Sequence, residues 1–199
     1  MKKAVLAAIM AGVFVAAIVI VGAVLLAPKE PGSTDRPITL PANQTTTSVT
    51  NSSIIAIDES KYGAYNSEHV HAAFMMVVEG KQIDFSDSKY QLKSRFIHFE
   101  NNDGTTLHRH AKGVPFGDFL KSVGMDIVGR CLLLGDGSKH CDQDGSRLRF
   151  FLNRTEISSI VDYVIQDKDR LLIIYGNETD AQIESRLADL QERTIITVN

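Results

Sequence analysis

The chain has 199 residues, 44% of them hydrophobic, and 21 Lys and Arg against 24 Asp and Glu give a formal net charge of −3. No Lys/Arg cluster and no alternation of basic with aromatic residues breaks that balance, which argues against nucleic acid as a partner.

Met1-Lys2-Lys3 leads into an uncharged run from Ala4 to Ala27. Signal-peptide cores usually stop at about 15 residues, whereas roughly 20 apolar residues cross a bilayer. Pro28 directly after the small Ala27 makes a poor cleavage point. Residues 1–27 therefore read as an uncleaved signal anchor, a transmembrane helix that ties the protein to the membrane; cleavage would instead release a secreted domain. Lys2 and Lys3 precede the span, and Lys29 and Arg36 beyond it are diluted by Glu30 and Asp35. The positive-inside rule then puts the rest on the extracytoplasmic side of a single-pass cell-membrane protein.

Residues 28–58 change character. Four of the five prolines lie among them, followed by a Thr, Ser and Asn run with few large apolar residues. Such a stretch cannot bury enough surface to offset its ordering entropy and reads as a disordered tether. Asn43 and Asn51 within it, and Asn153 and Asn177 beyond it, begin glycosylation sequons, as suits an exported chain. Residues 59–199 are enough for one domain with an ordinary core.

Within that domain, His69 to Val78 carries no charge and predicts a strand, Glu79-Gly-Lys81 a tight turn, and Gln82 to Phe85 a short return strand. Arg95 to Glu100 and Thr105 to Ala111 predict two more strands around Asn101-Asn-Asp-Gly104, whose Asp-Gly pair signals a hairpin. Phe116, Phe119, Leu120 and Val123 recur at i, i+3, i+4 and i+7, the core stripe of a short helix with Pro115 in its first turn and Gly124 as its cap. A three-residue loop of Gly135, Asp136 and Gly137 would close a second hairpin and set Cys131 opposite Cys141. Leu148 to Leu152 and Arg170 to Tyr175 predict further strands, joined through Tyr163-Val-Ile165 and a polar turn at 166–169. Ile183, Leu187 and Leu190 mark one face of an outer helix over 178–193. This order is that of an α+β domain, a β-grasp-like mixed sheet crossed by one helix and followed by a C-terminal amphipathic helix.

Five of the six histidines fall between positions 69 and 110, as His69-Val-His71, His98 and His108-Arg-His110. Side chains two apart on a strand share a face, so each pair aims both imidazoles at one volume. Imidazole suits zinc, copper, nickel and iron; with no thiol cluster, copper or zinc is the expected ion, held by His69, His71, His98, His108 and His110. Glu100 could assist. The plain alternative is a pair of solvated His-x-His edges. Met75 could add a thioether, although strand methionines usually fill cores. His140 is assigned no role. A metal enzyme would also need an open coordination position and a general base, such as Glu100 or Glu68, and the chain lacks a His-Glu-x-x-His signature.

Cys131 and Cys141 in an exported domain most economically form one structural disulfide, closing a loop for roughly 2 to 3 kcal/mol. Thiol-disulfide exchange normally uses Cys-x-x-Cys at a helix N-terminus, which this chain lacks.

The runs His69-Val-His-Ala-Ala-Phe, Ile83-Asp-Phe-Ser, Lys89-Tyr-Gln91, Ile97-His-Phe-Glu, Leu107-His-Arg-His-Ala and Gly113-Val-Pro-Phe-Gly resemble a family of exported, membrane-anchored archaeal proteins, especially of ammonia oxidisers. The resemblance spans about residues 66–192; its His-Val-His and His-x-His-Ala-x-Gly-Val motifs fall on His69, His71, His108 and His110, and its Ile-His-Phe-Glu run on His98. Some members carry the name protein-disulfide isomerase, which the resemblance implies as a label; this chain departs from true isomerases in having no Cys-x-x-Cys. The expectation is thus a metal-binding protein, more a binder than an enzyme. A thiol-disulfide oxidoreductase and a cell-surface interaction module are the alternatives.

Overall fold

A computed structural model describes residues 57–197. The expected anchor over 1–27, nearly all of the expected tether and the sequons at Asn43 and Asn51 lie outside the described residues. Among the described residues, no helix is long and apolar enough to cross a membrane.

The domain is α+β. Its strands are β1 (Val70–Val78), β2 (Lys81–Gln82), β3 (Ile97–His98), β4 (Thr106–Arg109), β5 (Asp126–Val128), β6 (Cys131–Leu133), β7 (Lys139–Cys141), β8 (Arg147–Leu152), β9 (Thr155–Ile157) and β10 (Arg170–Gly176). Its helices are α1 (Phe116–Ser122) and α2 (Asp180–Glu192). Seven strands form the main sheet in the order β3-β4-β1-β10-β8-β9, with β2 paired to β1; β5, β6 and β7 form a separate three-stranded sheet. The first and last long strands, β1 and β10, lie side by side and parallel, and every other pairing in the main sheet is antiparallel.

β1 is buried on both faces, which explains its unbroken apolar run. Ala72, Phe74 and Met76 join Phe116, Phe119 and Leu120 of α1 in the larger core, which also takes in Ile127 and Leu132 of the small sheet. Ala73, Met75 and Val77 face the other way, onto Ile183, Leu187 and Leu190 of α2. The sheet is thus covered by α1 on one side and by α2 on the other. α2 starts with a capping box, in which Thr179 and Gln182 satisfy each other's backbone N–H groups.

Several turns follow the sequence. Glu79 and Gly80 both take positive φ (50° and 77°), the two-residue turn that pairs Val78 with Lys81. Gly137 (φ 86°) closes the β6–β7 loop, Leu134 N–H donates to Ser138 O at 3.0 Å, and Cys131 and Cys141 are opposite and disulfide-bonded. The Asp-Gly hairpin needs correction. β3 and β4 are antiparallel neighbours, but β3 is only two residues long, and the left-handed positions of their loop are Asn101 and Asn102 (φ 58° and 55°). Asp103 caps the return by accepting from Thr105 N–H at 2.8 Å. Gly104 serves close packing instead, since a Cβ there would lie 2.3 Å from Ser86 N and 2.7 Å from Phe85 C. Neither β5 nor β9 is anticipated by periodicity; at three residues each they are too short to show one.

The polar turn at 166–169 ties β10 to the start of β1. Buried Asp169 accepts from Gln166 N–H (2.7 Å), Tyr163 Oη–H (2.7 Å) and Asn153 Nδ2–H (2.8 Å), while Lys168 N–H donates to His71 O at 2.7 Å. The sequon side chain Asn153 is therefore used at both ends, since its Oδ1 also accepts from Arg170 N–H at 2.9 Å. Asn177 is exposed.

Gly104→Ala should destabilise the domain by about 1–3 kcal/mol through backbone overpacking. Urea unfolding of the full-length chain checks this: a midpoint that falls while the slope stays constant is expected, and an unchanged midpoint would show that the close approach is not needed.

Candidate metal centre

Strand register alone brings the histidines together. His71 of β1 lies opposite His108 of β4, and His108 also lies opposite His98 of β3. One step along, Arg109 faces Val70 and Ile97. One step further His110 N–H donates to Phe96 O at 2.8 Å, and His69 is the neighbour on the β1 side. All five imidazoles consequently share one face, the face that α2 covers farther along β1.

The rings close on themselves. Centroid separations run 4.9 Å from His98 to His110, 4.6 Å to His69, 4.5 Å to His71, 4.8 Å to His108 and 6.1 Å back to His98. Tyr65, half exposed, stands 5.9 Å from His110 at the rim. His69 is exposed, whereas the relative exposure of His71, His98, His108 and His110 is 6%, 5%, 1% and 9%.

Four rings buried this deeply should each have hydrogen-bond partners for both nitrogens. They do not. His71 Nε2, His108 Nδ1 and His110 Nε2 are buried without any partner. His98 is held differently: its Nδ1 lies 2.6 Å from the carbonyl of Ser94, which can only accept, so Nδ1 carries the proton. In the neutral ring Nε2 is then bare, and it lies 3.3 Å from Glu100 Oε2. Two lone pairs at that distance call for a cation between them, either a proton or a metal. A ring nitrogen anchored on a backbone carbonyl with its opposite nitrogen free is the arrangement in which a histidine holds a metal.

Burial favours the neutral form of three of the rings, His71, His108 and His110. Burial, reinforced by neighbouring imidazoles, pushes His108 and His110 down to about 4. Burial and His69 also lower His71, against the opposing effect of Asp167, whose Oδ1 is 3.8 Å from His71 Nδ1. Burial raises the Glu100 carboxyl, but His108 and the hydrogen bond with His98 outweigh it and hold it below its ordinary range. At neutral pH the site therefore offers the uncharged imidazoles of His71, His108 and His110 and the Glu100 carboxylate, the protonation states that metals require.

Two groups of donors each lie within 4.8 Å of one another: His69, His71 and His108, and His98, Glu100 and His110. Three protein ligands leave a zinc or copper ion an open position for water or a small molecule. Glu68 is committed elsewhere. It pairs with Arg109, which points to the opposite face, is buried, and also donates to Ile165 O (3.1 Å) and Ala111 O (2.5 Å). Met75 is 1% exposed among the apolar residues under α2, as core filling. His140 stands apart on β7, 3.6 Å from Glu79 and 5.1 Å from the Tyr175 ring.

The sequence names all five histidines and Glu100 but misses Ser94 and Asp167, which act through a backbone carbonyl and across a sequence distance of 96 residues. Comparison with protein-family models, with curated proteins and with solved structures finds no match, so the function has to be argued from the site itself.

Proposed function

We propose that the domain binds a transition-metal ion, copper or zinc, through His69, His71, His98, His108 and His110, and that it does so outside the cell membrane, tethered by the N-terminal apolar segment. One observation carries this reading: a closed ring of five imidazoles in which three buried nitrogens have no partner. An ordinary core does not leave such groups unpaired, because each costs about 1–3 kcal/mol. The central parallel pair β1 and β10, with α1 across one face, supports a β-grasp-like description. The resemblance to exported archaeal proteins of ammonia oxidisers rests on the same histidine motifs, and copper suits an extracytoplasmic imidazole site as well as zinc does.

Disulfide exchange is the weaker reading. Cys131 and Cys141 face each other across the β6–β7 hairpin, and neither lies at a helix N-terminus, where a thiol would be activated. Their bond fits a staple on the small sheet.

Titration of the metal-free, full-length chain in detergent with copper(II) and zinc(II), followed by calorimetry, should give binding at micromolar concentration or tighter. No uptake of either ion would refute the proposal. His108→Leu separates a metal ligand from a packing residue. It should weaken binding beyond the 10- to 100-fold typical of losing an outer hydrogen-bond partner, yet leave the metal-free fold within about 1 kcal/mol of wild type or more stable, because an unpaired buried nitrogen disappears.

Acid should act on the metal-free fold in a defined direction. In the unfolded chain the imidazoles take up protons near pH 6.5, whereas in the fold His108 and His110 do so only at about 4. Between these values the unfolded state holds more protons, so stability is complete above pH 6.5 and is lost as pH falls toward 4. Thermal midpoints across that window should decline without metal. With a saturating ion, which keeps protons off the folded rings, the midpoints should lie higher across the window yet fall at least as steeply and keep falling below pH 4, because the unfolded chain still takes up its protons near 6.5; identical profiles with and without metal would contradict the assignment.

A further inference from the structure

We infer that the centre holds two metal ions, one in each half of the histidine ring, with the carboxylate of Glu100 between them. This rests on the metal-binding reading and adds stoichiometry and a bridging ligand to it.

The donors are too many and too divided for one ion. Five imidazoles and a carboxylate make six donors, whereas zinc and copper at histidine sites usually keep about four ligands. The donors fall into His69, His71 and His108 on one side and His98, Glu100 and His110 on the other, each triplet within 4.8 Å. Ligands about 2.0 Å from a tetrahedral ion stand about 3.3 Å apart, so each triplet needs only small side-chain rotations to close on an ion of its own.

The unpaired groups divide in the same way. His71 Nε2 and His108 Nδ1 belong to the first triplet and His110 Nε2 to the second, where the bare His98 Nε2 also faces Glu100 Oε2. An ion in either half would leave buried lone pairs in the other unanswered. Glu100 spans the divide: Oε2 is 3.3 Å from His98 Nε2, and Oε1 is 3.8 Å from the unpaired His108 Nδ1. A carboxylate with one oxygen toward each triplet is placed to bridge two cations and lower their repulsion. Asp167, beside His71 on the first side, adds a second negative charge. With Glu100 shared, the ion on His98 and His110 has three protein ligands and keeps an open position, while the ion on His69, His71 and His108 has four, so the ligand class to expect on the His98 side is a small oxygen donor such as water or hydroxide.

Elemental analysis of the full-length chain, loaded with copper(II) or zinc(II) and freed of weakly held ion, gives the stoichiometry. Two ions per chain are expected in wild type, and one in each of His71→Ala and His110→Ala, because each variant spoils one half. With copper(II), two neighbouring bridged ions should couple, so the integrated paramagnetic resonance signal should fall well below two spins. Glu100→Gln, close in shape to the native side chain, should restore signal per bound ion or lower the count to one. A single ion in wild type, lost equally in His71→Ala and His110→Ala, would overturn the two-ion inference and leave the single-site reading intact. Zero ions in wild type would overturn both. Two uncoupled ions unaffected by Glu100→Gln would exclude the bridge.

Discussion

The cross-strand register of β3, β4 and β1 is the constraint on which the site depends. Side chains alternate with a period of two, so pairing His98 with His108 and His108 with His71 commits His110 and His69 to the same face one step along. A slip of one residue in either pairing would send a strand's imidazoles through the sheet into the α1 core and bring apolar residues out. That penalty pins the register. Ala72, Phe74 and Leu107 on the reverse face are completely buried, and Arg109 is locked by Glu68 and two carbonyls. The core on one face thus fixes the coordinates of the donors on the other.

The same face changes purpose along its length. On β1 it begins with His71 and continues with Ala73, Met75 and Val77, and α2 covers the apolar part. Beyond that cover, Ile196 N–H donates to Thr106 Oγ1 at 3.1 Å, so the segment after α2 passes over the strand position that lies opposite Ala73. The histidines occupy the remainder, which neither helix fills. The polar turn at 166–169 closes another side by binding the backbone of His71 at both its N–H and its carbonyl. Apart from the Ser94 carbonyl and Glu100 at His98, the cost of burying imidazoles is therefore met by contacts that do not touch the rings. Apolar packing and backbone hydrogen bonds hold the strands, and His71 Nε2, His108 Nδ1 and His110 Nε2 are left without a partner.

Much of this was legible in the sequence. The uncharged run from His69 to Val78, the strand signal at 105–111, the i, i+3, i+4, i+7 stripe from Phe116 and the Gly135-Asp-Gly137 turn each express one local rule, and each marks an element that forms. Four of the five ligand candidates are visible for the same reason, since His-x-His within a strand leaves little choice of face; the lone His98 joins them through its pairing with His108. What could not be read is long-range or very short. No local pattern says that β10 inserts parallel to β1, which is what brings Asp167 to His71. Three-residue strands such as β5 and β9 are set by pairing, not by periodicity. Gly104 reads as a turn residue, and its real constraint is the backbone of Phe85 and Ser86, which no local pattern around Gly104 places beside it.

Accessibility completes the physical picture. His69 is the exposed member of the ring, and its neighbours along the ring, His71 and His110, are buried. The ring is therefore open to solvent at His69, with half-exposed Tyr65 beside His110 at the same rim. Glu100 is partly exposed on the other side, and His108, at 1% exposure, is the innermost donor. The low affinity of His108 and His110 for protons comes from this same seclusion, because burial is the largest cause of the shift at both. Seclusion that disfavours a charged ring leaves the neutral nitrogen's lone pair intact, so the depth that excludes protons at neutral pH also keeps the donors ready for a metal. Shielding from protons and readiness for an ion are two consequences of one burial, and the strand register produces that burial.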